Sequence, residues 1–116
     1  NGAGWSFLIG DSSNNYTVTD NDYVTLNQWQ NVVSVLSREE SKCKIYINGA
    51  LKAESDATGL GSFEDASGHL TLGTDLNSNS YANFSGEISQ VKIYNKALTE
   101  QEIKQNFEAT RDRYGI

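Results

Sequence analysis

Residues 84–103 read Phe-Ser-Gly-Glu-Ile-Ser-Gln-Val-Lys-Ile-Tyr-Asn-Lys-Ala-Leu-Thr-Glu-Gln-Glu-Ile, and they contain a strand pattern followed directly by a helix start. The β-branched and aromatic residues of 86–94 favour a strand. Thr99 is a good N-cap residue, and Glu102 stands three positions later, which is the spacing of a capping box. The stretch therefore predicts a strand that leads into a capped helix over 100–111.

Asn48 and Gly49 predict a tight turn further upstream. They follow Lys42–Ile47, where apolar and polar residues alternate as they do in a half-buried strand. Both central residues of a type I′ turn need positive φ, and Asn and Gly tolerate that conformation best. We therefore predict a hairpin whose second strand is 50–55.

Other strand patterns are separated by clusters of turn residues, at the spacing typical of a β-sandwich. The predicted strands are 5–10, 16–19, 29–37 and 69–73. Apolar residues occupy both faces of 29–37, which predicts a central strand covered on each side. Within 86–94, Ile88 is out of phase with Val91 and Ile93, which predicts a β-bulge between them.

Three stretches in a fixed order carry a further signal. They are Trp29-x-x-Val32-Val33-x-Val35, then Lys44-Ile45-Tyr46-Ile47-Asn48-Gly49 with Leu70-x-Leu72-Gly73, and finally Phe84-x-Gly86-x-Ile88-x-x-Val91-x-Ile93-Tyr94-Asn95-x-Ala97-Leu98-Thr99-x-x-Glu102-Ile103. Together they resemble the laminin-G-like domains of the concanavalin A-like lectin/glucanase superfamily. The resemblance implies an all-β fold, a two-sheet antiparallel β-sandwich of the jelly-roll type, with one short C-terminal helix. This fold hosts lectins, adhesion modules, structural modules and glycosidases, so it does not define one function.

Length and termini suggest how the domain is organised. We expect residues 1–116 to form one laminin-G-like domain, because this length suits a single modest core. The chain starts at Asn1 and contains no Met, so we expect it to belong to a longer protein. Domains of the family have further strands before the segment that matches from Trp29. Early strands that are missing, or supplied by another chain, would leave an open sheet edge, which predicts self-association into a homo-oligomer.

Composition excludes several classes of function. The formal net charge of −6 argues against nucleic acid, because phosphate binding needs clustered Lys and Arg. No apolar run approaches the roughly 20 residues of a membrane-spanning helix. The single cysteine, Cys43, excludes an intrachain disulfide and is predicted to be a buried thiol.

The sequence also disfavours catalysis. His69 is the sole histidine, and no motif gives it a Ser or Cys partner. Glucanases of the superfamily resemble one another in a Glu-x-Asp-x-Glu strand, which this chain lacks. Retaining glycoside hydrolysis needs two carboxyl groups about 5 Å apart. We therefore predict a protein that is not an enzyme.

Calcium is a candidate cofactor. The loop from Asp75 places oxygen ligands at alternate positions, but Ser80 stands where an EF-hand loop needs Gly, so an EF-hand is excluded. The resemblance implies instead a calcium ion held at a loop rim by one or two acidic side chains. The acidic residues in predicted loops include Asp11, Asp20, Asp22 and Asp75. We predict Asp75 and Asp22 as metal ligands, and a solvated loop without metal is the alternative.

Carbohydrate binding needs an aromatic face for the apolar side of a sugar, together with amides for its hydroxyl groups. Tyr81 has this combination, since it is flanked by Asn77, Asn79 and Asn83 in a predicted loop. Tyr16 follows two further asparagines and is a second candidate. The alternative is that both tyrosines pack their loops.

Two classes of function remain. The first is a non-catalytic recognition module that binds glycan, with or without calcium, on a secreted, cell-surface or virion protein. The second is a structural module whose partners are proteins alone. Trp5 and Trp29 are predicted to lie in the core in either case.

Overall fold

The chain folds into two antiparallel sheets and a C-terminal helix in a computed structural model, which describes residues 4–22, 24–63, 68–74 and 83–116. The elements are β1 (Ser6–Gly10), β2 (Asn15–Thr19), β3 (Val32–Ser37), β4 (Lys42–Ile47), β5 (Ala50–Asp56) and α1 (Glu100–Tyr114). The β1–β2 hairpin forms one sheet, and the other has the order β3-β4-β5. Two facing sheets with a helix at the end of the chain confirm the predicted all-β sandwich with one C-terminal helix.

The β1–β2 hairpin presents one apolar face, as its alternating sequence predicts. Phe7 of β1 lies opposite Val18 of β2, and Ile9 lies opposite Tyr16. These side chains belong to the larger of two core clusters. That cluster comprises Val18, Cys43, Ile45, Ile47 and Ala57, with Trp5, Phe7, Ile9, Tyr16, Val32, Leu36 and Ala53 packed against it.

Strand β4 is buried on both faces. Its odd-numbered residues face the β1–β2 hairpin, whereas Tyr46 packs with Val35 and Ile103 in the second cluster, beneath the helix. Strand β3 is covered on both faces as predicted, since Leu36 packs in the larger cluster and Val35 in the second. The prediction that 29–37 is the central strand was wrong, because β4 takes the middle position of the described sheet. The alternation of β4 made its second face look exposed, because Lys44 lies on that face. Its ammonium group reaches out to Glu40, 2.5 Å away, so the lysine does not keep this face in water.

The Asn48–Gly49 turn joins β4 to β5 as predicted. Both residues have positive φ, 49° and 79° respectively. The turn also packs on the helix, because a Cβ added at Gly49 would lie 3.0 Å from Cδ1 of Phe107. Glycine is therefore required here by backbone conformation and by the close approach of an aromatic ring.

Helix α1 begins with the predicted capping box. The Thr99 hydroxyl accepts the Glu102 N–H at 3.2 Å, and the Glu102 carboxylate accepts the Thr99 N–H at 3.2 Å. The helix is three residues longer than predicted and ends at Gly115, whose left-handed conformation caps it. Its buried side chains are Ile103 and Phe107, which lie four positions apart on one face of the helix. In the residues that the structure describes, no helix combines the length and apolar character needed to cross a membrane.

Two predicted strands do not form. Residues 69–73 and 86–94 contain no strand, and the bulge predicted between Ile88 and Val91 has no ladder to interrupt. Their apolar side chains are exposed: Ile88 by 55%, Val91 by 52% and Ile93 by 74%. A strand needs a hydrogen-bonded neighbour. Within the described part of the chain, no backbone hydrogen bond joins 85–98 to a strand.

Candidate functional site

An open cleft of about 640 Å³ lies where the loop before β3, the β4–β5 turn and the end of α1 meet. Its described lining residues are Asn27, Gln28, Trp29, Asn48, Phe107, Glu108, Arg111, Tyr114, Gly115 and Ile116. The volume lies within the range of small-molecule sites. We call this feature the Trp29–Tyr114 cleft.

Two aromatic rings form one wall of the cleft. The ring centroids of Trp29 and Tyr114 lie 5.3 Å apart at an interplanar angle of 55°, a favourable geometry for an aromatic pair. The Tyr114 hydroxyl also hydrogen-bonds the Ser89 hydroxyl at 2.9 Å. The prediction that Trp29 lies in the core was wrong, because 37% of this residue is exposed. Trp29 precedes β3 and is therefore not held to the inward face of the sheet.

A pair of asparagines holds the loop before β3 against the β4–β5 turn. The Asn48 side-chain oxygen accepts the Asn31 N–H at 2.9 Å, and the Asn48 N–H donates to the Asn31 carbonyl at 2.8 Å. This reciprocal contact fixes the side-chain oxygen of Asn48. Its Nδ2 group has no hydrogen-bond partner among the described residues, and Asn48 is one of the residues that line the cleft.

A charged pair lies on the helix side of the cleft. Arg111 donates from Nη1 to the Glu108 carboxylate, with oxygen distances of 3.2 and 3.5 Å. Its Nε donates to the Ile116 carbonyl at 2.6 Å, and its guanidinium lies 5.0 Å from the centre of the Phe107 ring. These contacts hold the guanidinium in one position beside the Glu108 carboxylate. A hydrogen-bond donor and a hydrogen-bond acceptor therefore lie next to each other in the cleft.

The helical repeat places the cleft residues of α1 on one face of the helix. Phe107, Arg111 and Tyr114 follow one another at i, i+4 and i+7 and so share the face that begins with Ile103. At the end of the helix this face no longer packs on the core, and Tyr114 contacts Trp29 instead. The spacing is visible in the sequence, but the Trp29 loop is brought to it by tertiary contacts alone.

Comparison with known proteins identifies the family. A family model for laminin G domains, described as the concanavalin A-like lectin/glucanases superfamily, matches residues 1–104. The chain belongs to this superfamily. The match confirms the family that the motifs of 29–103 predicted from the sequence.

Two relatives of this superfamily member were also found. A "Botulinum-like toxin eBoNT/J" from Enterococcus sp. is 29% identical over 86 residues, which are 74% of this chain and 6% of the toxin. A solved S-layer domain-containing protein from Clostridium thermocellum superposes with a TM-score of 0.61 at 23% identity. That alignment covers 88% of this chain and 50% of the other. The structural likeness supports the superfamily fold.

Four of the residues predicted from the sequence to bind ligands lie outside the described residues. They are Asn77, Asn79 and Tyr81 of the sugar-binding prediction and Asp75 of the metal prediction. Their roles stay predictions.

Tyr16, Asn83 and Asp22 lie in the described residues, and each has a different neighbour. The Tyr16 hydroxyl donates to the Thr58 carbonyl, and its ring packs against the larger core cluster. The Asn83 side chain accepts a hydrogen bond from the Thr74 hydroxyl at 3.1 Å. No hydrogen bond or ion pair among the described residues joins the three predicted residues to one another.

The described neighbours of Asp22 are a lysine and a second carboxylate. The Asp22 carboxylate lies 3.6 Å from the Lys52 ammonium group, which a bound cation would have to displace. The neighbouring carboxylate, Asp20, accepts the Asp22 N–H at 3.1 Å and is 5% exposed. Among the described residues, no three potential metal ligands from His, Cys, Asp and Glu lie together. Calcium binding through Asp22 and Asp75 therefore stays a prediction.

Asp11 has a structural role on a different edge of the sandwich. Its carboxylate accepts N–H groups from Gly61, Ser13 and Asn14, and these bonds lower its pKa to about 2. Gly61 is also held through its carbonyl by Arg38 at 2.7 Å. These bonds tie the loop after β5 to the β1–β2 turn.

The Asp11 carboxylate is expected to make stability depend on acid pH. Because its pKa is lower in the folded chain, its contribution is present above about pH 4 and is lost as the pH falls towards about 2. Asp11→Asn should lower the melting temperature at neutral pH. It should also reduce the fall in melting temperature between about pH 4 and pH 2, which is the acid limb of the stability profile, measured by thermal denaturation at stepped pH. Asp22→Asn removes the same charge from a side chain that is 77% exposed and should retain the limb. Identical acid limbs in the wild type and Asp11→Asn would contradict the role of Asp11.

Proposed function

We propose that the domain is a non-catalytic recognition module that binds carbohydrate in the Trp29–Tyr114 cleft. The observation that carries the proposal is an exposed tryptophan, paired with a tyrosine, in a cleft that also contains amide groups and a donor–acceptor pair. Aromatic rings stack on the apolar faces of sugars, and the polar groups can bond the hydroxyls. Membership of a superfamily that includes lectins supports the same function.

The composition of the cleft favours binding over hydrolysis. Glu108 supplies the carboxylate side chain among the described lining residues, and Arg111 neutralises it. Retaining hydrolysis needs a second carboxyl group about 5 Å away. The domain is therefore proposed to hold its ligand without cleaving it.

The names of the relatives support a location outside the cell. One is called a botulinum-like toxin and the other an S-layer domain-containing protein. We place the domain on a secreted or surface protein, where a glycan partner would be accessible. The chain spans a small part of the toxin and half of the S-layer chain, so the activity of any longer protein is a separate question.

A glycan array tests this function. The labelled domain is applied once with calcium and once with a chelator, and we expect binding that persists in the chelator. This expectation follows because Glu108 is the carboxylate among the described residues of the cleft. Loss of binding on chelation would favour a site that includes the predicted metal ligands Asp22 and Asp75, and a blank array in both conditions would contradict the function.

A structural module that assembles with a second copy is the alternative function. Residues 86–94 favour it, because Ile88, Val91 and Ile93 are exposed on a segment with strand-like composition. Twofold antiparallel pairing centred on Val91 would put Val91 opposite its own copy and Ile88 opposite Tyr94, with no like charges opposed.

Light scattering at micromolar concentration tests this alternative, and a dimer is the expected result. Val91→Lys should yield a monomer, because it would place two ammonium groups opposite each other. Gln105→Lys adds the same charge to an exposed helix position and should leave the dimer intact. A wild-type monomer would count against assembly through 86–94.

A further inference from the structure

We infer that the Trp29–Tyr114 cleft selects uncharged sugars over anionic ones, an inference that rests on the proposed function. The cleft contains one guanidinium and one carboxylate among its described lining residues, and they are paired with each other. The positive charge that an anionic sugar would need is therefore already neutralised. The net charge of −6 on the whole chain further opposes an anionic ligand.

The hydrogen bonds of Arg111 strengthen this selection. A guanidinium binds a carboxylate or sulfate most strongly through two parallel N–H···O hydrogen bonds from one of its edges. Nε of Arg111 is bonded to the Ile116 carbonyl, and Nη1 is bonded to Glu108. On the Nε–Nη2 edge the single Nε hydrogen is already donated, so an anion cannot form both bonds there, and on the Nη1–Nη2 edge Nη1 already donates to Glu108. Nη2, which has no hydrogen-bond partner among the described residues, can donate to a sugar hydroxyl.

Sugar hydroxyls both donate and accept hydrogen bonds, and the cleft offers both functions. The Glu108 carboxylate has lone pairs left for a hydroxyl donor, whereas Asn48 offers Nδ2 because its side-chain oxygen is engaged by the Asn31 N–H. Trp29 supplies the apolar surface. A neutral pyranose with one apolar face and adjacent hydroxyls matches this set.

Matched sugar pairs test the selection. Lactose, mannobiose and cellobiose are each immobilised beside a form of the same disaccharide that carries one sulfate, and binding is measured by interferometry. We expect at least one neutral disaccharide to bind about tenfold or more tightly than its sulfated form. Glu108→Gln should narrow that ratio, because it frees the Arg111 guanidinium for an anion. Glu39→Gln, the same change on the β3–β4 turn, should leave the ratio unchanged.

The outcomes separate this inference from the function on which it rests. Equal or tighter binding of the sulfated sugars, weakened by Trp29→Ala, would overturn the selection and support the cleft as a sugar site. An unchanged ratio in Glu108→Gln would also overturn it. Failure of every disaccharide to bind, or binding that Trp29→Ala leaves intact, would overturn the proposed site and the selection together.

Discussion

Replacing Ile45 with alanine is expected to lower the free energy of unfolding by about 2–5 kcal/mol. Ile45 is 0% exposed and lies in the cluster between β4 and the β1–β2 hairpin, where its neighbours include Cys43 and Ile47. Truncation removes buried methyl groups and leaves a cavity that the strands can only partly fill. Urea denaturation measures the loss as a lower midpoint with an unchanged m-value.

Ile93→Ala is the matched control for this substitution. The same atoms are removed from a side chain that is 74% exposed, so we expect a change within about 0.5 kcal/mol. Equal losses in the two variants would contradict the burial that separates Ile45 from Ile93. Such a result would indicate that Ile93 is buried in solution, either within the sandwich or against a second copy paired through 86–94.

Replacing Trp29 with alanine is expected to weaken glycan binding by about 1–2 kcal/mol, which is roughly 5–30-fold in affinity. Trp29 is 37% exposed and lines the cleft, with the Tyr114 ring beside it at 5.3 Å between centroids. Isothermal titration with a glycan that the array identifies measures the change. Far-UV circular dichroism verifies that the variant retains the fold.

Tyr81→Ala and Tyr16→Phe distinguish the cleft from the sites predicted by sequence. We expect Tyr16→Phe to bind glycan like the wild type, since Tyr16 packs against the core cluster and bonds the Thr58 carbonyl. For Tyr81→Ala, unchanged affinity is the result that binding in the Trp29–Tyr114 cleft requires. An affinity loss in Tyr81→Ala, with Trp29→Ala unaffected, would assign recognition to residues 77–83 instead.

Local signals predicted the features of the fold that depend on neighbouring residues. The capping box of Thr99 and Glu102 and the positive-φ turn of Asn48 and Gly49 each require only residues within four positions, and both form as predicted. The alternation in Lys42–Ile47 likewise marked its buried face, because period-two burial is a property of the strand itself.

Features that depend on distant partners escaped prediction. Residues 86–94 have the composition of a strand, but no described strand lies alongside to bond their backbone. The sequence of β4 did not reveal that its second face is covered, because Ile103 arrives from a helix more than fifty residues later. Trp29 was assigned to the core for the same reason: its contact with Tyr114 joins two segments that the sequence does not connect.

Gly49 makes the shape of the cleft depend on a residue that does not line it. Its missing side chain lets Phe107 settle against the turn, and Phe107 in turn supports the guanidinium of Arg111. A side chain at this position would strain the positive-φ turn and force the Phe107 ring to shift by a few tenths of an ångström. Engineering new ligand specificity should therefore vary the lining residues while keeping Gly49 constant, since a change there would disturb the ring on which Arg111 rests.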